Sequence, residues 1–180
     1  MRSALDKFNS ILVFVVAVLG LVCGCQTDSK PKGPVTLLRL HLEASPDATG
    51  LNVPVLIGRT DPVQLTVEKS PFIDERDVAK ADVIDDKGVI FLRIEFTRRG
   101  RWLLELYSTS NPGRRCAIFC QFGNKKAPAS RWLAAPMFRH RITDGVLVFA
   151  PDATKAEADQ IVAGLNNLAK RLAKERGPLD

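Results

Sequence analysis

Only one stretch of this chain, Ile11–Val22, is continuously apolar and uncharged, and it lies within the first 25 positions. Everything after it must therefore build a core from short, alternating segments. Arg2 and Lys7 precede the stretch and small residues follow it, the order of an export signal. It is shorter than the roughly twenty residues a helix needs to span a bilayer, which favours a cleaved segment over a permanent anchor. Cys25 follows the small residue Gly24, with Val22 at the third position back, whereas Cys23 follows Val22. Cys25 is thus the candidate lipid-accepting cysteine: its thiol would take a diacylglycerol and its freed amino group an acyl chain, giving the two-signal anchor that stable attachment needs. Two other readings stand beside this one. Residues 1–24 are an ordinary secretory signal, or they are an uncleaved short anchor, with Cys25 unmodified or in a disulfide.

The expected organisation is a signal peptide over 1–24, a lipidated cysteine and tether over 25–34, and one domain over 35–176. With 180 residues in all, that domain is large enough to bury a core. Residues 26–34 are polar and proline-containing, the composition of a tether. Net charge is +6, and removal of Arg2, Asp6 and Lys7 with the signal leaves +5. A basic domain tethered in a bacterial envelope, facing the periplasm or the exterior, is drawn to anionic headgroups; nucleic acid is not an expected partner there. Gln26 after Cys25 points toward an outer membrane where the source has one.

Along the domain, Thr36–Glu43 alternates, with Leu38, Leu40 and Leu42 on one face and Arg39, His41 and Glu43 on the other. This predicts a half-buried strand with His41 toward solvent. Val53–Ile57 and Val63–Val67 read as short strands, Pro54 marking an edge or a strand end. Asp74 caps a one- to two-turn helix leading into Ala81–Ile84, and Asp85–Gly88 is a hairpin turn before the strand Val89–Phe96. Thr97 caps a helix to about Thr109, with Trp102, Leu103, Leu106 and Tyr107 spaced along one face. Arg115–Phe122 is a strand, Gly123–Lys126 a turn, Ala127–Pro136 an extended segment and Gly145–Ala150 the last strand. Asp152 or Thr154 opens a closing helix through Lys174, striped by Ala158, Ile161, Val162, Leu165, Leu168, Ala169 and Leu172. The expected class is α+β: a mixed, largely antiparallel sheet with a central helix and a C-terminal helix packed on it. Cys116 and Cys120 fall on one face of a strand roughly 13 Å apart, too far for a disulfide, and so read as buried thiols.

The segments Asp77–Val83, Ile94–Gly100, Gly113–Ile118, Leu133–Ile142 and the helix start over 153–168 occur in an order that resembles the head subdomain of the first periplasmic domain of SecD, the translocase accessory subunit. The resemblance covers roughly residues 35–172. In it, Ala135–Pro136 corresponds to the family's Ala-Pro after a core strand, and Thr143–Gly145 to its turn before the last strand. SecD couples its head to proton-driven transmembrane helices, and no such helices are readable here. The resemblance therefore implies an isolated head-like module that contacts an exported polypeptide or another envelope or translocase protein.

No nucleophile elbow, phosphate loop or His-Glu-x-x-His motif is present, the only histidines are His41 and His140, and neither cysteine of the domain has a partner at ligand spacing. The chain reads as a non-enzymatic interaction module without metal or cofactor. The alternative is a small-ligand carrier or a hydrolase with an unrecognised cleft. What remains is basic: Arg98, Arg99, Arg101, Arg114, Arg115, Arg131, Arg139 and Arg141, with Lys125, Lys126 and His140 among them. Either these form a solvated face, or they make one surface toward lipid headgroups or an acidic partner.

Overall fold

The computed structural model describes residues 33–124 and 127–176. The export signal, Cys25 and most of the tether lie outside the described residues, as do Lys125 and Lys126 of the expected turn. The chain adopts the expected α+β fold. Its strands are β1 (Leu37–Leu42), β2 (Asn52–Ile57), β3 (Val63–Glu68), β4 (Val78–Asp86), β5 (Val89–Phe96), β6 (Cys116–Asn124), β7 (Ala127–Ala134) and β8 (Val146–Phe149). The α-helices among the described residues are α1 (Arg98–Ser110) and α2 (Lys155–Arg176). The strands divide over three sheets ordered β1-β6-β7, β2-β3 and β4-β5-β8, every strand pairing being antiparallel.

Local chemistry accounts for the punctuation. Lys87 and Gly88 both take positive φ, at 53° and 87°, and the Asp85 carboxylate accepts from Gly88 N–H. That is the two-residue hairpin whose twist suits the strands it joins. The expected helix at Asp74 is a single 3₁₀ turn, Glu75–Asp77, held by reciprocal bonds between Asp74 and Asp77. Thr97 caps α1 through Gly100 N–H. At the start of α2, Thr154 N–H donates to Glu157 and Glu157 N–H to the Thr154 hydroxyl, a capping box.

The main core gathers Leu38, Leu40 and Leu42 of β1, Cys116, Ile118, Cys120 and Phe122 of β6, Leu92, Ile94 and Phe96 of β5, Leu104 of α1, and Ala158, Ile161 and Leu165 of α2. Cys116 and Cys120 are free thiols within it. Burial alone pushes Cys116 upward, and burial, offset in part by Arg131, takes Cys120 to about 12, so both stay protonated and unreactive.

Two sequence expectations are corrected by packing. The far face of β1 is covered, because the β2–β3 hairpin lies over it and forms a second small core of Ile57, Leu65, Val67 and Ala117 with Trp132 against it. His41 is consequently buried, not solvent-facing; its Nδ1–H donates to Glu68 C=O at 2.8 Å and its ring meets Trp132 edge-on at 5.1 Å. In α1, the inward residues are Gly100, Leu104 and Ser108, whereas Trp102 and Leu106, expected on one face with Leu103 and Tyr107, are turned outward. The close approach of Gly100 to Asp77 and Phe96 sets this rotation: a Cβ at residue 100 would lie 2.9 Å from each.

Desolvation holds the His41 imidazole below its ordinary value of 6.5, the Glu68 bond opposing and Arg39 adding to the depression. Below that value the unfolded chain binds a proton that the folded chain refuses, so stability is lost as pH falls. We expect chemical denaturation midpoints to decline from pH 6.5 downward, and His41→Gln to flatten that decline. An equal decline in His41→Gln would assign it to other groups.

Candidate functional site

The three-stranded sheet of β4, β5 and β8 has two edges, and they are treated differently. At the β4 edge, the Asn166 side chain of α2 acts as a surrogate strand, its amide donating to Ala81 C=O and its carbonyl accepting from Ala81 N–H, both at 2.9 Å. At the other edge, Phe96 N–H donates to Gly145 C=O at 3.0 Å, which fixes the phase of the ladder. Antiparallel ladders alternate, so Leu147 and Phe149 direct their backbone groups to β5 while Val146 and Val148 direct theirs away. Asp144 accepts the Val146 N–H at 3.0 Å. The N–H and C=O of Val148 have no partner among the described residues.

A cleft of about 490 Å³ runs beside this open edge, between β8 and the irregular segment 136–144. Met137, Phe138, Ile142, Leu147 and Val148 give it apolar walls, and His140, Arg141 and Asp144 a polar rim. The segment has no helical or strand periodicity, yet it is pinned at three points. Cys116 N–H donates to Pro136 C=O at 2.8 Å. Phe138 exchanges backbone bonds with Gly113 and Arg114, at 2.8 and 2.9 Å. Ile142 N–H donates to the buried Ser108 hydroxyl of α1 at 3.0 Å. A preformed slot with one unpaired strand edge is a site for an extended segment: main-chain bonds to the edge give affinity and the walls take alternate side chains.

The arginines expected to form one surface are divided in their tasks. Arg131 is committed to the fold: its side chain is 16% exposed, pairs with Glu157, donates to Asp152 C=O and lies over the Phe122 ring. Arg115 donates to Ala135 C=O at 3.2 Å, and Arg114 reaches Glu43 C=O. Arg99 pairs with the buried Asp77 at 2.8 Å, and Arg141 pairs with Glu105. Arg98, Arg101 and Arg139 are exposed and carry no ion pair among the described residues. Arg98, Arg99, Arg101 and Arg141 are gathered about α1, with the Arg101 stem against Gly145, whereas Arg114, Arg115 and Arg139 belong to the segments after its C-terminal end.

Among the described residues no three His, Cys, Asp or Glu side chains stand together so as to hold a metal ion. No described helix is long and apolar enough to cross a membrane. The cleft, the Asn166 seal and the exposure of Trp102 were not read from the sequence. A signal for the cleft did exist, in the short β-like run 145–150 flanked by a proline-containing segment with no partner of its own.

Comparison with protein-family models and with curated proteins finds no match. Among solved structures, one described as "Structure and function of a membrane component SecDF that enhances protein export" aligns over 75% of this chain and 64% of its own, with a TM-score of 0.51 and 21% identity. A second, "Crystal structure of SecDF in Super-membrane-facing form", aligns over 93% of this chain and 34% of its own, with a TM-score of 0.46 and 16% identity. This chain thus spans less than two thirds of the first of these, and what the two have in common is a SecD-like fold.

Proposed function

We propose that this protein is an envelope lipoprotein, anchored through Cys25, whose domain corresponds to the head subdomain of SecD and binds an extended stretch of polypeptide without catalysing a reaction on it. The observation that carries the reading is the cleft along the open edge of β8. The SecD-like fold and the export-signal pattern of residues 1–25 support a setting in protein export or envelope assembly. The polypeptide lies as a fourth strand beside β8, paired with Val148, while Met137 and Ile142 receive its apolar side chains. His140, Arg141 and Asp144 at the rim offer it polar contacts of both signs.

The test uses the full chain and a permanently unfolded model polypeptide. Val148→Pro removes an N–H that faces away from β5, so it spares the ladder within the sheet while blocking strand addition. Its binding is expected to weaken about tenfold, close to the value of one hydrogen bond plus the steric block. Met137→Glu, which alters the wall without touching the backbone, is expected to act in the same direction, and Cys25→Ser to release the protein from the membrane fraction with binding intact. Unchanged binding in both cleft variants would remove β8 as the site.

A further inference from the structure

The face of α1 opposite its buried residues has no partner within the described domain. Arg98, Trp102 and Leu106 follow one another at i, i+4 and i+8, so they stand in one row along the helix. Trp102 is 60% exposed and Leu106 43%. The first turn of α1 contains arginines and no acidic residue, an arrangement that the positive end of the helix dipole disfavours. Arg99 is compensated by Asp77, and six residues on Glu105 is taken by Arg141. Neither Arg98 nor Arg101 has an ion pair among the described residues, but the Arg101 stem packs against Gly145, which leaves Arg98 as the one for which the described fold supplies no contact.

We propose that this face seats on an anionic bilayer surface, with Trp102 and Leu106 entering the headgroup region and Arg98, in the same row, meeting lipid phosphates. Charge and size select this occupant. Two apolar side chains are far short of the roughly 800 Å² that each partner contributes to a standard protein interface. An indole one turn from an arginine is instead the composition that settles at a membrane–water boundary, its ring in the acyl margin and its N–H and the cation in the polar layer. In this the inference rests on the anchor of the proposed function: on a domain held near the surface through Cys25 a weak contact is enough, because the second contact is intramolecular. The inference stands apart from the polypeptide site, since β8 and its cleft take no part in it.

The experiment places the full chain in vesicles of phosphatidylcholine, alone or mixed with phosphatidylglycerol, and reads Trp102 by its quenching with brominated lipid. Subtracting the signal of Trp102→Phe, an exposed position where the ring is kept apolar, isolates it from Trp132. The chain carries its lipid on Cys25, so that the anchor is the same in both kinds of vesicle and retention in the membrane fraction reports it separately from Trp102. Trp102 is expected to be quenched, and its emission shifted to the blue, in the anionic vesicles only. Arg98→Glu reverses one charge and is expected to lower the ratio of docked to undocked Trp102 about thirtyfold. Equal quenching in neutral vesicles, no quenching in either, or protection of Trp102 only when envelope protein is added would each overturn the proposal, the last in favour of a protein partner.

Discussion

Phe138→Ala is expected to lower unfolding free energy by about 3–5 kcal/mol in urea titrations, the range for truncating a buried aromatic ring. Phe138 is 2% exposed and belongs to the main core. Its ring meets Phe72 edge-on at 6.4 Å, and Phe72 is stacked on Tyr107 of α1 at 4.2 Å. One side chain thus ties the wall of the cleft to the helix that carries Trp102. The backbone bonds of Phe138 to Gly113 and Arg114 survive the truncation, so they cannot restore what is lost; the loss comes from the vacated volume. Phe138→Leu refills most of that volume and is expected to cost about 1–2 kcal/mol. A domain of this size has about 5–15 kcal/mol in hand, so the alanine variant consumes a large share of it. A measured loss below about 1 kcal/mol would show that the ring is not packed in this way.

The second large effect runs against helix propensity. Replacing a mid-helix glycine by alanine ordinarily gains about 1 kcal/mol, and Gly164 sits in the middle of α2. A Cβ at this position would lie 2.1 Å from Thr36 Oγ1 and 2.9 Å from both Thr36 Cβ and Thr36 N. The backbone nitrogen cannot rotate away, so α2 itself must shift from the start of β1. Overpacking of this kind costs about 1–3 kcal/mol, and here the upper end applies. Gly164→Ala is therefore expected to destabilise by about 2 kcal/mol net. Thr36→Ala alone should be close to neutral, because Oγ1 is buried with no hydrogen-bond partner among the described residues. Combined with Gly164→Ala it removes the shortest contact and leaves the two at 2.9 Å, so the double variant should recover part of the loss and not all. Additive single effects would remove the contact as the cause.

How much of this was legible in the sequence depends on the range of the interaction that decides it. The hairpin at Asp85–Gly88, the Thr97 cap and the start of α2 are set by residues within a few positions of one another, and the local chemistry that predicts them is present in the fold. The α+β class followed from the same short-range alternation. The rotation of α1 was not legible: Gly100–Leu104–Ser108 and Trp102–Leu106 are equally good helical rows, and only the contact of Gly100 with Asp77 chooses between them. His41 was placed outward because alternation gives two faces and cannot say that a separate hairpin covers the second. The basic clusters looked alike as sequence. Their carboxylate partners stand 22, 26 and 36 residues away for Arg99, Arg131 and Arg141, so which arginines remain for a partner emerges only with the tertiary fold.

The placement of β1 also governs when the domain can form. Leu38 pairs with Cys120 and Leu40 with Ile118, so the first strand finds its sheet neighbour only after most of the chain has become available. Until then its leucines lack the surface that buries them, and the core of β1, β6 and α2 cannot close. Such non-local pairing raises contact order and slows folding. A chain delivered from its N-terminus would remain open while it emerges and condense late, as the segment after α1 and then α2 arrive. A pulse of hydrogen exchange during refolding should find the amides of β1 among the last to gain protection and those of the β4–β5 hairpin among the first.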